Sequence, residues 1–480
     1  MHSPIAALVI GAAHLLLALV VSAHIVLTKP DVRAAIGWAG LIWLVPVAGS
    51  VLYGLFGINR LRRRGGRMRR GRLLAWTEPP GPEVHSHENT PVPAGVPGAV
   101  RPIAKLVGAV TGAPLLTGNA VDVLVNGDEA YPAMLSAIDQ AIRTVALTTY
   151  IFDRGQVADR FIDALSRAQQ RGVTVRVLID GVGARYSHPP VVDTLRERGI
   201  TVATFLPPVV WLRHPYFNLR NHRKLLVVDG ALAFCGGLNI LDGCLLQLGA
   251  PDPTQDLHFR IRGPVVAQLM RAVAFDWAFT TGEKLVGAGW FPPIGSAGVV
   301  LARGIPDGPD EDFESLLMTL IGALAEATRS VRIVTPYFLP DPSLIDALRV
   351  AALRGVEVEI VLPAKGNLKM VQWAATAQLA QIVRVGCLVY LSPPPFDHSK
   401  LLLVDDSWSL VGSANWDPRS LRLNFEYVLE CYDPALNARL GQVFDAKKVG
   451  ARKVTLEHLQ ARSLPLKLRD GVVRLAQPYL

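Results

Sequence analysis

One frame occurs twice in this chain: a His, one residue, a Lys, four residues and an Asp. It appears as His222, Lys224 and Asp229, and again about 180 residues later as His398, Lys400 and Asp405. Each copy is followed by a small-residue step and an Asn, Gly236-Gly237-Leu238-Asn239 in the first and Gly412-Ser413-Ala414-Asn415 in the second. A spacing this long is too great for a solenoid unit and calls for a duplicated domain. Two copies of a nucleophile-plus-cation pair in one chain call for a single site built from two halves.

The flanking pattern agrees. Strand-like runs at Val121–Val125, Val145–Phe152 and Val173–Ile179 alternate with helix-like runs at Asp128–Arg143 and Val157–Gln170. The pattern returns with helices at Asp310–Ala327 and Pro340–Leu353 and strands at Val331–Pro336 and Val356–Leu362. Arg171-Gly172-Val173 is matched by Arg354-Gly355-Val356, and Thr149-Tyr150 by Pro336-Tyr337. Both halves read as α/β domains with helices packed on a sheet.

Ahead of them, Pro4–Leu27 is apolar apart from His14, Ser22 and His24, and Ala34–Ile58 carries no charge. Each is long enough to cross a hydrocarbon layer of about 30 Å, so residues 1–59 are expected to form a transmembrane helical hairpin. The formal charge is +9, but Arg60, Arg62, Arg63, Arg64, Arg67, Arg69, Arg70 and Arg72 carry nearly all of it. Without those eight the balance is 41 bases to 40 acids. The basic segment is expected to stay cytoplasmic, and the nearly neutral remainder argues against a nucleic-acid partner. Residues 60–102 are expected to be an Arg-rich juxtamembrane segment and a flexible Pro-rich tether. Two domains, 103–290 and 291–480, follow. Cys235, Cys244, Cys387 and Cys431 have no paired or zinc-ligand spacing and read as reduced, buried thiols. No metal or cofactor is implied.

On the strands expected at Leu225–Asp229 and Leu401–Val404, residues i and i+2 share a face, so His222 projects with Lys224 and His398 with Lys400. Such a set suits a phosphodiester. Two lysines neutralise it, one neutral imidazole attacks phosphorus and a second, protonated, serves the leaving oxygen. Gly237 and Ser413 are expected to let backbone approach an anion, with Asn239 and Asn415 donating amide hydrogens to it. Asp256 and Glu426 are the expected acceptors that fix the histidine tautomers. Asp229 and Asp405 complete the frame, with a structural role favoured because they stand seven residues beyond the histidines. His188, His214 and His258 read as exposed bystanders.

These motifs resemble the paired signatures of the phospholipase D superfamily, and the resemblance is closest to bacterial cardiolipin synthases. It is carried by Arg220-Asn221-His222-Arg223-Lys224, Gly236-Gly237-Leu238-Asn239-Ile240, Asn415-Trp416-Asp417-Pro418-Arg419-Ser420, and Leu423-Asn424-Phe425-Glu426. The apolar N-terminal region and the tail Arg474-Leu475-Ala476-Gln477-Pro478-Tyr479-Leu480 extend it. The resemblance implies two phospholipase D-type α/β/α sandwich domains forming one pseudo-twofold unit. It implies His222 as nucleophile, His398 as general acid/base, and transfer of a phosphatidyl group between two phosphatidylglycerol molecules through a phosphohistidine. It also implies phospholipid substrates and a multi-pass location in the bacterial inner membrane, with the catalytic domains on the cytoplasmic side. Oligomeric state is left open. Competing expectations are a phospholipase D using water, a nucleic-acid diesterase and an inactive lipid-binding scaffold. Leu241-Asp242-Gly243-Cys244 and Pro393-Pro394-Pro395-Phe396 depart from the family pattern and bear on acceptor choice.

Overall fold

The computed structural model describes residues 4–29, 31–57, 92–207, 219–309 and 314–477. The end of the expected hairpin from residue 58, the Arg cluster, the expected tether up to residue 91, residues 208–218 (including His214) and the last three residues lie outside that set. The chain divides into two compact units, residues 1–64 and 65–480.

In the first unit, Pro4–Thr28 is one helix of 25 residues. Its Gly11–Thr28 stretch is long and apolar enough to cross a membrane, with mean hydropathy 1.9. The second expected span is interrupted. A helix runs Val32–Leu44, started by Asp31, whose carboxylate accepts the Arg33 and Ala34 amides. It stops at Val45, and Pro46–Leu52 forms a separate helix. Proline disfavours the helical conformation in the residue before it and has no amide to continue the ladder, and Val45 is accordingly at φ −141°, ψ 77°. Ala18, Ile25, Ile42 and Tyr53 bury one another, and His24 Nδ1 lies 2.9 Å from the Tyr53 hydroxyl.

The second unit is built from two matching sets of strands. The first half carries β1 (Leu116–Val125), β2 (Thr144–Thr149), β3 (Thr174–Asp180), β4 (Val202–Phe205), β5 (Arg220–Asn221), β6 (Leu225–Val228), β7 (Leu232–Gly236), β8 (Thr254–Gln255) and β9 (Leu257–Arg262). The second half carries β10 (Val300–Asp307), β11 (Ser330–Val334), β12 (Glu357–Pro363), β13 (Leu388–Ser392), β14 (Phe396–Asp397), β15 (Leu401–Val404), β16 (Trp408–Gly412), β17 (Asn424–Tyr432) and β18 (Arg452–Val454). Most form one sheet in the order β18-β13-β12-β11-β15-β16-β17-β10-β1-β9-β7-β6-β2-β3-β4. The order reads nearly the same outward from the β10–β1 seam, where Leu116 pairs Ala302 and Asn119 pairs Val300.

Each half has its own core. In the first, helices 126–140, 156–170 and 191–197 close over Val145, Leu147, Val175, Val177, Leu226 and Val228. Helix 266–281 packs against β2, β4, β6 and β7 but contributes to none of that cluster, so it covers the other face. The second half repeats this with helices 315–326 and 342–353 on one side and 434–448 on the other. Strands buried on both faces read as unbroken apolar runs such as Leu225–Val228.

One stretch departs from expectation. Val96 and Val100, placed in the flexible tether, are 4% and 1% exposed and belong to the core of the second half. Ile103, Ala104 and Val107, expected in the first domain, join them there through helix Arg101–Thr111, which packs on helix Ser315–Glu326. Pro and Gly composition suggested a tether, but the apolar residues among them are enough to dock it.

The aspartates of the two frames accept hydrogen bonds from the chain at the start of a neighbouring strand. Asp229 accepts the amides of Ile142, Arg143 and Thr144 at 2.9, 2.6 and 2.8 Å. Asp405 accepts those of Thr328, Arg329 and Ser330, plus the Thr328 hydroxyl at 2.8 Å. Each follows β6 or β15 in the left-handed region, at φ 51° and 50°, which Asp tolerates better than most residues. Each thereby ties the chain leading into β2 or β11 to its antiparallel neighbour. Alanine at either is expected to cost about 1–3 kcal/mol by leaving those donors unsatisfied. A lower thermal midpoint with turnover per folded molecule preserved would be the sign; loss of turnover in fully folded protein would contradict it.

Candidate active site

His222–Lys224 and His398–Lys400 are extended but lie just ahead of β6 and β15 rather than within them. Alternation holds for His222 and Arg223, while Lys224 and Lys400 are buried, 2% and 5% exposed, and do not line the cleft. His222 faces a cleft of about 460 Å³ that His398 also lines, while Arg223 points away and makes a fully buried pair with Asp276 at 2.8 Å. The two imidazole centroids are 6.5 Å apart, so one phosphate can sit between them.

The carboxylates are crossed between the halves. His222 Nδ1 lies 2.9 and 3.0 Å from the oxygens of Glu426, and His398 Nδ1 lies 2.7 Å from Asp256 Oδ2. Strand pairing makes this so. β5 runs parallel to β17, with Asn221 opposite Phe425, and the His222 amide donates to the Phe425 carbonyl. β14 runs parallel to β8, with Asp397 opposite Gln255, and the His398 amide donates to the Gln255 carbonyl. Each histidine therefore lies beside the carboxylate one residue further along in the other half. With Asp256 and Glu426 both ionised, each only accepts, so Nδ1 then carries the hydrogen in both rings and Nε2 is the nitrogen left for chemistry.

Gly237 and Ser413 serve the carboxylates rather than an anion. Their amides are tied to the carbonyls of Leu257 and Tyr427, where the backbone continues β7 and β16 instead of turning. A Cβ at Gly237 would fall 2.2 Å from Asp256 Oδ1, so only glycine leaves room for that side chain. At the matching place Ser413 donates to Glu426 Oε2 at 2.5 Å, and Ser420 and Asn424 donate to Oε1 at 2.8 and 3.2 Å. Asn239 and Asn415 do line the cleft. Asn239 accepts the Ile151 amide through Oδ1 at 3.1 Å, which leaves its nitrogen end for a ligand. The buried Asn415 Oδ1 has no hydrogen-bond partner among the described residues.

The electrostatics fit an anion site. Burial, then the charges of Lys224 and Lys400, hold His222 well below the usual imidazole value. Burial, then Lys400, brings His398 to about 4. Burial takes Lys224 to about 7 against the pull of Glu426, and Lys400 to about 8 against that of Asp256. Lys224 Nζ donates to the His222 carbonyl at 2.7 Å, and Lys400 donates to the His398 carbonyl. Burial works to raise Asp256, but Lys400 and His398 overcome it and hold the carboxyl below its ordinary value. Glu426 is pushed by burial to about 7, opposed by Lys224. A bound diester would restore charge to both lysines and raise the proton affinity of the imidazoles.

Sequence reasoning did not single out Tyr150, Tyr337, Arg220 and Arg419, which also line the cleft. Tyr150 is edge-on to His222 at 5.2 Å and Tyr337 to His398 at 6.1 Å. Their signal in the sequence is the matched Thr149-Tyr150 and Pro336-Tyr337 pair. Arg220 meets buried Asp180 at 3.6 Å. His188 is exposed, as expected. His258 is not: it is 1% exposed within β9, and burial holds it at about 4, a neutral core residue. All four cysteines are buried and free. Among the described residues, no group of three His, Cys, Asp or Glu is placed to hold a metal ion.

Comparison with known proteins agrees with this geometry. The model of the family described as "Cardiolipin synthase, PLD-like domain" matches residues 134–271 and 320–448, one segment in each half. The chain is 31% identical to the major cardiolipin synthase ClsA of Bacillus subtilis (strain 168), over 94% of this chain and 95% of that one. It is 32% identical to cardiolipin synthase A of Pseudomonas fluorescens (strain Pf-5), over 97% and 96%. A crystal structure of phosphatidylserine synthase from Haemophilus influenzae shares the fold, with a TM-score of 0.60 at 15% identity, covering 79% of this chain and all of that one. With both segments matched and relatives aligned nearly end to end, the chain belongs to the cardiolipin synthase family of phospholipase D-like proteins.

Proposed function

We propose that the chain transfers a phosphatidyl group between two phosphatidylglycerol molecules, giving cardiolipin and glycerol. The observation that carries this reading is the pair of imidazoles on one cleft, each held by a carboxylate of the opposite half. Nε2 of His222 attacks phosphorus, forming the P–N bond as the P–O bond to glycerol breaks. His398 delivers a proton to the departing glycerol oxygen. It then takes the proton from the hydroxyl of a second phosphatidylglycerol as that oxygen attacks phosphorus and releases His222. Assigning the attack to His222 follows family precedent. The stronger hold of anionic Asp256 on His398 suits the ring that must carry the shuttled proton. Lys224, Lys400 and the two asparagines would hold the phosphate oxygens.

The substrates are membrane lipids, and the apolar N-terminal helix supports a membrane-held enzyme. The second apolar segment, though broken at Pro46, would complete a hairpin that places the catalytic unit on the cytoplasmic face of the inner membrane, next to the Arg cluster. Tethering raises the effective concentration of lipid at the site. Incubating the membrane-inserted protein with labelled phosphatidylglycerol, with and without chelator, tests the reading. Chelator-resistant cardiolipin with released glycerol is expected. Phosphatidic acid without cardiolipin would identify a hydrolase instead.

A further inference from the structure

The C-terminal helix Leu464–Leu475 has an unusual distribution of apolar residues. Leu464, Leu468, Val472 and Leu475 are 67%, 59%, 65% and 78% exposed. Their spacing of four, four and three puts them in one stripe along the helix. The opposite face is firmly seated. Val473 packs on Leu339, Val371, Ala374 and Ala375. Asp470, 1% exposed, is paired with Arg462 at 2.5 Å and with Arg469 at 2.8 Å. Arg469 also stacks over the Trp373 ring at 4.1 Å. Gln477, just beyond the helix, donates to the Leu339 carbonyl at 3.1 Å and accepts from Gln378 at 2.7 Å. A helix held this well needs no apolar residues on its outer face to stay folded, and water disfavours them there.

The stripe is bordered by cations. On helical spacing the exposed Lys467 and Arg474 lie along one edge and Arg469 along the other. It is also close to the cleft: Val371, a member of the cluster that Val473 packs against, lines the cleft directly, as does Leu368. Leu368 and neighbouring Met370 are themselves 50% and 49% exposed. An apolar stripe with basic borders matches the boundary between acyl chains and anionic headgroups. We propose that this helix docks the catalytic unit onto an anionic phospholipid bilayer, bringing the cleft to the lipid surface. The proposal rests on the reading of the cleft as a lipid site.

The test uses the full chain in vesicles of phosphatidylglycerol and phosphatidylcholine. Leu468→Cys is labelled with an environment-sensitive fluorophore, as is Ile142→Cys, a 79% exposed control in the first half. The four native thiols are buried and do not compete for label. The probe at 468 is expected to be quenched by lipids spin-labelled on the acyl chain and shielded from iodide, with the reverse at 142. A probe at 468 quenched by iodide as at 142 would overturn the proposal. Shielding from iodide without lipid quenching would also overturn it, in favour of a protein contact such as a second copy. Leu468→Glu with Val472→Glu is expected to lower cardiolipin formation on vesicles about tenfold while changing turnover of monomeric short-chain phosphatidylglycerol by less than about twofold. Equal loss on both would place the effect inside the fold and refute the docking role. Depth and catalysis fail separately. A lipid-quenched 468 on a protein that makes no cardiolipin sinks only the catalytic reading, and an active enzyme with a water-quenched 468 sinks only this one.

Discussion

Alanine at His222 or at His398 is expected to lower cardiolipin formation by about a thousandfold or more, because each substitution removes a group that must bond to phosphorus or move a proton. The fold should survive both. Each ring is about one-tenth exposed at the cleft wall, and neither residue is part of the two apolar cores. Circular dichroism and vesicle co-sedimentation should therefore match the parent protein. The two variants should differ in what rescues them. A phosphatidyl substrate with a nitrophenol leaving group departs without a proton, so it should restore the first half-reaction to His398→Ala and leave His222→Ala inactive. Release of nitrophenol by His222→Ala but not by His398→Ala would reverse the assignment of roles. Full activity in either variant would rule out a shared site.

The crossed carboxylates support a second large effect. Asp256→Asn is expected to slow the reaction by about 10²–10⁴-fold, because an amide can present its NH₂ to Nδ1 and turn the ring so that the hydrogen sits on Nε2. The defect should belong to His398, not to the histidine of its own half, since Asp256 contacts His398 at 2.7 Å. The nitrophenol substrate should therefore rescue Asp256→Asn, as it does His398→Ala. Glu426→Gln should resemble His222→Ala and resist rescue, because Glu426 holds the attacking ring. The opposite pattern, Asp256→Asn unrescued and Glu426→Gln rescued, would mean that each carboxylate serves its own half in solution. Gly237→Ala offers a check through packing alone. The new methyl would displace Asp256 and should reproduce the Asp256→Asn pattern in milder form.

Much of the site was legible beforehand because its parts are local. His-x-Lys projects to one side wherever the chain is extended, whether or not it hydrogen-bonds as a strand. Asp229 and Asp405 could be set aside because seven residues of extended chain carry them far from the histidines. Expectation and structure part where residue type suggests a role that position denies. Gly237 and Ser413 read as an anion cradle, yet their amides are already spent on neighbouring strands, and what matters at both places is the room or hydroxyl offered to a carboxylate. The uncharged stretch around Pro46 reads as one span because hydropathy does not register a missing amide. His258 looked like surface because an isolated His most often is, whereas the β7–β9 pairing buries it opposite Gly236.

The order of residues along this chain was enough to establish a duplicated α/β body, two equivalent nucleophile-and-cation pairs, an apolar N-terminus and a localised basic charge, since periodicity, hydropathy and repetition are written in sequence. It was also enough to name Asp256 and Glu426 as the orienting carboxylates. Which histidine each one holds was decided only by the tertiary structure. The parallel pairs β5–β17 and β14–β8 connect residues some 140 to 200 positions apart. Contacts at that range depend on how the two halves close against each other, and no local pattern in either half records it.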